Sequence, residues 1–291
     1  MAEGLEAYFD NDDELRAYET FCAEQEHAAA GFSLDDPALV CRWRMARKRV
    51  PLLNRHIRAL AARRVQGAPL THNMLSWVKQ HVEWSLAEGS YEEHDGVLML
   101  VIDVNGNAAM TVGAYEPLAD TGLDALCRRA ERSRAEAVET GVAPELLGAV
   151  QDRRVLLAAD ADEPLCAAAS LLAQLARTCG LDVERLPAAS LAAMAEPGAG
   201  APVEGTVAPV AQGGAAAAPV ARACTLGTGS VAAADGVPAQ AADEPDGCGA
   251  APALFLVSDE HGVVPAAGSA PAAGNAAALE RLVSGCAKLF A

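Results

Sequence analysis

The chain has 291 residues and a formal net charge of −17, because 39 Asp and Glu residues outnumber 22 Lys and Arg residues. A chain of this length has enough residues for one large domain or for two smaller ones. Its negative field repels nucleic acids and anionic membrane surfaces, so we expect neither as a partner.

Targeting and metal-binding signals are missing from the sequence. The first residues are acidic and include no basic, apolar leader, and the longest strongly apolar run, Val97 to Ile102, is far too short to cross a bilayer. We therefore expect a cytoplasmic protein. Eight cysteines are scattered without a CxxC pair, and six histidines show no ligand spacing, so no metal site is predicted.

The first third of the chain predicts a helix, a strand and a second helix. Asp12 to His27 has an acidic first turn and one apolar stripe, which are typical of a surface helix. From Leu39 to Met45 every second side chain is apolar and two of the others are arginines, which is the pattern of a half-buried strand. After a turn at Arg47 to Pro51, Leu52 to Arg64 is predicted to be helical.

A further helix and a hairpin follow. Thr71 is a typical N-cap for a helix with an apolar stripe. The members of that stripe are Leu75, Val78, Val82 and Leu86. Val97 to Val104 reads as a buried strand, Asn105-Gly106 is a strong hairpin turn, and Ala108 to Tyr115 is predicted to return antiparallel to it.

The second part of the chain predicts a separate lobe. Pro117 to Gly122 favours a joint between a small α+β lobe, residues 1–118, and a larger α/β lobe, residues 119–291. Leu123 to Thr140 is predicted as a long helix that Gly141 ends. The other predicted elements are a short helix around Pro144 to Gln151, a strand Arg154 to Ala158, a helix Pro164 to Cys179 closed by Gly180, a strand Leu181 to Leu186 and a brief helix near Ser190.

Two segments rich in Ala, Gly, Pro and Val, residues 197–223 and 232–251, have too few large side chains to offset the entropy of ordering, so they are predicted to be mobile loops. A final hairpin is predicted from Ala253 to Val257, His261-Gly262 and Val263-Val264. Asn275 to Phe290 predicts a last helix with one apolar face.

The candidate binding residues begin with a basic segment, Val40 to Leu60, within a stretch that lacks Asp and Glu. Its basic side chains are Arg42, Arg44, Arg47, Lys48, Arg49, Arg55, His56 and Arg58. Arginines beside a strand and a helix start are typical of phosphate or carboxylate binding. The alternative is a solvated basic face that pairs with the acidic first helix.

Two further features allow more than one interpretation. His56 has the pKa range of a general base, but a lone histidine near a helix start is more often a structural residue. Gly227, Thr228, Gly229 and Ser230 present backbone N–H groups and hydroxyls that suit a phosphate, or they form an ordinary turn. No GxSxG, P-loop or GxGxxG motif is present, so acyl hydrolase, NTPase and Rossmann readings lack support.

The order of these segments resembles the class IV pyridoxal-phosphate family of D-amino-acid and branched-chain aminotransferases and aminodeoxychorismate lyase. VCRWRMARKRVPLLNRHIRAL is similar to its strand, turn and "H-x-x-R-L" helix, AERSRAEAVETGVAPELL to the helix that leads its large lobe, and TLGTGSV to its Thr/Gly loop. The resemblance implies a two-lobed D-amino-acid-aminotransferase-like α+β fold, pyridoxal phosphate (PLP) as cofactor and a homodimer. It also implies that Arg42, His56, Arg58 and Gly227 to Ser230 hold the cofactor or a small anionic ligand.

The chain departs from the family at the chemically decisive position. The family forms a Schiff base through a lysine near the start of the helix that corresponds to Leu123 to Arg128, whereas the only lysines here are Lys48, Lys79 and Lys288. The phosphate-binding arginine of "H-x-x-R-L" falls on Ala59, next to Arg58. For the acidic partner of the pyridine nitrogen, Glu163 is the one candidate.

Three hypotheses follow. The first is a divergent relative without the Schiff-base lysine, a pseudoenzyme that binds a ligand or partner, and therefore no catalytic residue is assigned. The second is an active PLP-dependent transaminase or lyase that acts on an amino acid. The third is an unrelated α+β interaction protein.

Overall fold

The computed structural model describes residues 11–29, 37–89, 91, 93–195 and 250–290, and these form an α+β structure. The helices are α1 Asp12–Ala29, α2 Leu53–Ala61, α3 His72–Glu88, α4 Leu123–Thr140, α5 Ala167–Thr178, α6 Ala188–Ala195 and α7 Ala273–Ala287. The strands are β1 Pro37–Met45, β2 Arg64–Val65, β3 Ala68–Pro69, β4 Gly96–Asp103, β5 Ala108–Ala114, β6 Glu145–Gln151, β7 Arg154–Ala158, β8 Asp182–Leu186, β9 Ala253–Ser258 and β10 Gly262–Pro265.

The smaller sheet has the order β1-β4-β5 and is antiparallel throughout. Its strand β1 confirms the predicted alternation, since Leu39, Cys41, Trp43 and Met45 are buried whereas Arg42 is exposed. The buried side chains of β1 and β4 pack with those of α2 and α3 in one core. One face of this sheet is therefore closed by helices, and the other face carries the arginines of β1.

The predicted β4–β5 hairpin is confirmed, and Asp103 shapes its turn. The Asp103 carboxylate accepts hydrogen bonds of 2.8 Å from the backbone N–H groups of Asn105 and Asn107. Gly106 adopts a φ of 81°, which a residue without a Cβ tolerates at little cost.

The larger sheet has the order β10-β9-β6-β7-β8, with β7 and β8 parallel and the other pairs antiparallel. Helices α5 and α7 pack on one of its faces and share a core with it. Side chains of α4 and α6 pack in a different core with the same strands. The central strands are thus covered on both faces.

This double burial explains one wrong prediction. The short helix expected around Pro144 to Gln151 is instead strand β6, in which every residue from Glu145 to Val150 is buried. A strand covered on both faces loses the apolar-polar alternation, and a short apolar run then cannot be told from a helix by its pattern. The pairing of β6 with β9, about a hundred residues later in the chain, makes this segment a strand and not a helix.

Most other boundaries follow the predictions. Helix α4 has the predicted bounds, and Gly141 ends it with a φ of 88°. Thr71 caps α3, with its Oγ1 accepting the Met74 N–H at 3.2 Å. Helix α2 is shorter than predicted because the chain leaves it at Ala62 to enter the β2–β3 ribbon, which the sequence did not reveal.

The two Ala/Gly/Pro/Val-rich segments, 197–223 and 232–251, fall almost entirely outside the described residues. The division into lobes at residue 118 remains a prediction. Among the helices that the structure describes, none has the length and apolar character needed to cross a bilayer.

Candidate functional site

A cavity of about 290 Å³ lies where β1 of the smaller sheet meets α4 and one end of the larger sheet. Its lining combines three arginines with four carboxylates and few apolar residues. The lining residues are Val40, Arg42, Arg129, Arg132, Ser133, Glu136, Pro144, Glu145, Ser258, Asp259 and Glu260.

Helix α4 supplies one wall through residues spaced three and four apart. Arg129, Arg132, Ser133 and Glu136 follow the i, i+3, i+4, i+7 pattern and therefore share one helix face. Ser133 is buried, and its hydroxyl oxygen accepts the backbone N–H of Glu145 at 2.8 Å. This bond fixes α4 to the first residue of β6.

The turn between β9 and β10 supplies the opposite wall. The Ser258 hydroxyl accepts the N–H groups of Glu260 and His261, both at 3.2 Å, which holds the turn in shape. The Asp259 carboxylate accepts the N–H of Ala168, near the N-terminus of α5, at 2.8 Å. The Asp259 carbonyl oxygen accepts the N–H of Arg44, so this turn also joins β1.

Three ion pairs neutralise most of the charge around the cavity. Arg42 contacts Glu260 at 2.7 and 2.8 Å, and Arg129 forms a two-point pair with Glu145 at 2.9 and 2.7 Å. Glu136 contacts Nη1 of Arg63 at 3.3 Å, and the Arg63 side chain is only 4% exposed. The Arg42–Glu260 and Arg129–Glu145 pairs each join two guanidinium nitrogens to the two carboxylate oxygens, which is the stronger kind of pair.

Arg132 differs from these arginines. Its Nε donates to the backbone carbonyl of Arg128 at 3.3 Å, and no described carboxylate lies within 4.0 Å of its guanidinium. Its two terminal nitrogens have no hydrogen-bond partner among the described residues. The cavity wall therefore presents one guanidinium with unused donors.

The environment shifts the titration of two carboxyls in the lining. Burial alone would raise the pKa of Asp259, but His56 and the Ala168 N–H favour its charged form and lower the pKa below its ordinary value. For Glu136, burial is the larger influence and raises the pKa, although Arg63 opposes it. Asp259 is thus the more firmly charged of the two.

His56 lies behind this wall. Its side chain is 2% exposed, stacks on Trp43 with ring centroids 4.8 Å apart, and places Nδ1 3.5 Å from Oδ2 of Asp259. Nδ1 has no hydrogen bond of good geometry within the described residues. His56 does not line the cavity, so it can influence a ligand there only through its effect on Asp259.

The structure separates the other predicted site residues. Arg42 lines the cavity, whereas Arg58 is exposed on α2 and does not. Gly227, Thr228, Gly229 and Ser230 lie outside the described residues. The assignment of Arg42, His56, Arg58 and these four residues to one binding site stays a prediction.

The rest of the basic segment also disperses. Arg55 donates to Ser170 and Gln174 on α5, which ties α2 to the larger sheet's helices. The Arg44 guanidinium carbon lies 3.1 Å from the centroid of the Tyr115 ring, a cation–π contact. Charges adjacent in sequence thus serve several separate contacts.

Sequence reasoning missed the larger part of the lining. The signal was present in α4, where Arg129, Arg132 and Glu136 put three charges on a helix face that also carries the small Ser133. Asp259 and Glu260 lie between the strands of the predicted final hairpin, and no role was predicted for them. In the part of the chain that the structure describes, no group of three or more His, Cys, Asp or Glu side chains has metal-binding geometry.

No family model matches the chain, and no curated protein matches it. A solved structure of a hypothetical aminotransferase from Mycobacterium tuberculosis, in its alpha-ketoglutarate and PMP bound form, aligns with 88% of this chain and 91% of its own, at 12% identity and a TM-score of 0.45. At that score and identity the likeness supports no assignment of cofactor or substrate.

Proposed function

We propose that this protein is a non-catalytic binding protein, a divergent relative of the class IV PLP family, which takes a small carboxylate in the cavity between β1 and α4. The observation that carries the proposal is the Arg132 guanidinium, whose terminal nitrogens face no described carboxylate. A guanidinium fork suits the two oxygens of a carboxylate.

The charge of the lining supports a monoanion over a phosphate dianion. Four carboxylates line the cavity, and three of them already have a guanidinium partner while the fourth, Asp259, lies beside His56. Arg132 is thus the one cation of the lining without a carboxylate partner among the described residues, and with three arginines and four carboxylates the lining has no surplus of positive charge. A second negative charge on the ligand would meet these carboxylates without a matching cation, which disfavours it.

The absence of a suitable amine supports a non-catalytic role. PLP chemistry in this family needs a lysine that condenses with the cofactor aldehyde. The three lysines of the chain, Lys48, Lys79 and Lys288, all lie within the described residues, and none lines the cavity. The donor set of the cavity therefore does not fit PLP as a covalently held cofactor.

Carboxylate binding is tested by thermal unfolding and calorimetry with acetate, pyruvate and 3-phenylpropionate, and with inorganic phosphate at matched ionic strength. We expect a carboxylate to raise the Tm of the wild type more than phosphate does. Arg132→Ala should weaken its binding about 10- to 100-fold, since a charge-assisted hydrogen bond contributes about 1.5–3 kcal/mol.

The matched control is Arg128→Ala, which removes an exposed arginine one turn earlier on α4 that does not line the cavity. It should bind carboxylates like the wild type. Equal binding by wild type and Arg132→Ala would refute the site, and stronger binding of phosphate would refute the ligand class.

The non-catalytic part of the proposal has its own test. Protein incubated with PLP and then reduced with borohydride should carry no stoichiometric pyridoxyl adduct on any lysine, by mass spectrometry. A stoichiometric adduct on one lysine would instead support the active transaminase or lyase.

A further inference from the structure

Whether the Arg132 guanidinium is available to a ligand depends on which arginine Glu136 pairs with. These two residues are four apart on α4, a spacing at which opposite charges usually pair on a helix surface. They do not come within 4.0 Å of each other, because Glu136 turns to Arg63 instead. If Glu136 faced Arg132, it would occupy the guanidinium that the proposed ligand needs.

The burial of Arg63 favours its ion pair with Glu136. Its side chain is 4% exposed, and Glu136 is the one carboxylate within ion-pair distance of it among the described residues. A guanidinium buried without a hydrogen-bonded anion is costly, whereas Arg132 is exposed and keeps its hydration when unpaired. The competition for Glu136 therefore favours the buried arginine.

We infer that Arg63 is a positioning residue: by holding Glu136, it keeps Arg132 open to a carboxylate, although Arg63 itself does not line the cavity. The inference rests on the proposed function for its biological meaning. Its structural content, that Arg63 sets the partner of Glu136 and so the accessibility of Arg132, is tested without any ligand.

The ligand-free test follows the reaction of Arg132 with phenylglyoxal, quantified by peptide mass spectrometry. In the wild type we expect rapid labelling of Arg132. Arg63→Met frees Glu136 to pair with Arg132, which should slow the labelling at least threefold. Arg63→Met combined with Glu136→Gln removes the competing charge and should restore the wild-type rate.

The same variants are then titrated with whichever of acetate, pyruvate and 3-phenylpropionate binds the wild type most tightly. Binding should weaken about tenfold in Arg63→Met and recover in the double variant, while Glu136→Gln alone should bind at least as tightly as the wild type. A merely structural role for Arg63 would not be rescued by changing Glu136. Arg64→Met, at the exposed neighbouring position, is the matched control and should leave labelling unchanged.

The outcomes separate the two ideas. If no carboxylate binds the wild type but labelling follows the pattern above, the proposed function fails and the positioning role stands. If labelling of Arg132 is the same in the wild type and in Arg63→Met, the positioning role is wrong whatever the ligand does. Should circular dichroism show that Arg63→Met is unfolded, Arg63→Gln, which removes the charge but keeps a polar side chain, takes its place, and a wild-type rate of Arg132 labelling in that variant refutes the inference.

Discussion

Asp259 is the residue whose replacement tests the architecture of the site most directly. Its side chain is 6% exposed, accepts the Ala168 N–H at 2.8 Å and lies 3.5 Å from His56. Asp259→Asn keeps an oxygen that can accept from Ala168 but removes the negative charge beside His56. The hydrogen bond to Ala168 then becomes a neutral one, which is roughly half as strong.

The expected loss of unfolding free energy at pH 7 is about 2–4 kcal/mol. A hydrogen bond to a charged group contributes about 1.5–3 kcal/mol, and removal of one partner from a buried pair costs about 3–5 kcal/mol when nothing replaces it. The amide of asparagine replaces part of the lost interaction, which places the expected value between these figures.

The control is Glu260→Gln at the next position in the sequence. Glu260 pairs with the more exposed Arg42, so this change should lower the free energy of unfolding by no more than about 1 kcal/mol.

The pH dependence gives a second check with a defined sign. The pKa of Asp259 is lower in the folded protein than in the unfolded chain, so its charge stabilises the fold above about pH 4, the ordinary range of an aspartate. That stability is lost as the pH falls through the lowered pKa. The difference between wild type and Asp259→Asn should therefore shrink as the pH falls below about 4.

Urea unfolding followed by tryptophan fluorescence measures this difference, and Trp43, which stacks on His56, is a nearby reporter. The reasoning is refuted if Asp259→Asn is as stable as the wild type at pH 7. It is equally refuted if the difference grows as the pH falls below about 4, since that would require a raised pKa of Asp259.

Three further predictions concern the framework around the site. Gly148→Ala would place a Cβ 2.4 Å from the Phe255 ring in the core, so it should cost about 1–3 kcal/mol in urea unfolding, and Phe255→Leu in the same protein should offset part of that loss. Thr71→Ala removes the N-cap of α3 and should cost about 1 kcal/mol, seen as a lower Tm; an unchanged Tm would mean that the cap contributes nothing. Burial raises the pKa of the Cys41 thiol to about 11, so a thiol reagent at pH 7 should label the exposed Cys179 in the native protein and Cys41 only after denaturation.

The fold could be predicted wherever local chemistry decides the structure. Gly141 ends α4 because the chain there adopts a left-handed φ, and the alternation in β1 is visible because its apolar side chains enter the core with α2 and α3 whereas Arg42 is exposed. Strand β6 could not be recognised, because its burial on both faces depends on helices and on a strand far away in sequence. The local sequence pattern does not indicate which distant strands will pair.

The site was predictable only in part for the same reason. Arg42 was selected as a member of a basic segment, but its partner Glu260 is 218 residues away. The sequence also gave no reason to connect Arg63 with Glu136, which belong to different predicted lobes. Polar residues that are unremarkable in their own helix or turn become a site only when the two sheets bring them together.

The distribution of charge shows why this cavity, and not the basic segment as a whole, is the more reasonable place for an anion. In a chain of net charge −17 an exposed arginine such as Arg58 is surrounded by water and by a repulsive overall field, so it gives an anion little net stabilisation. Arg132 stands in a concave wall whose carboxylates face cations of their own, including Glu145 on Arg129. The repulsion that these carboxylates would exert on a ligand is thereby reduced at short range. Arg132 is itself exposed, but a ligand held between it and the cavity wall displaces part of the water that would screen their attraction. Arg132→Ala should therefore raise the Kd of a carboxylate far more than Arg58→Ala does, although both changes remove one positive charge. Equal increases in Kd would show that only the overall field matters.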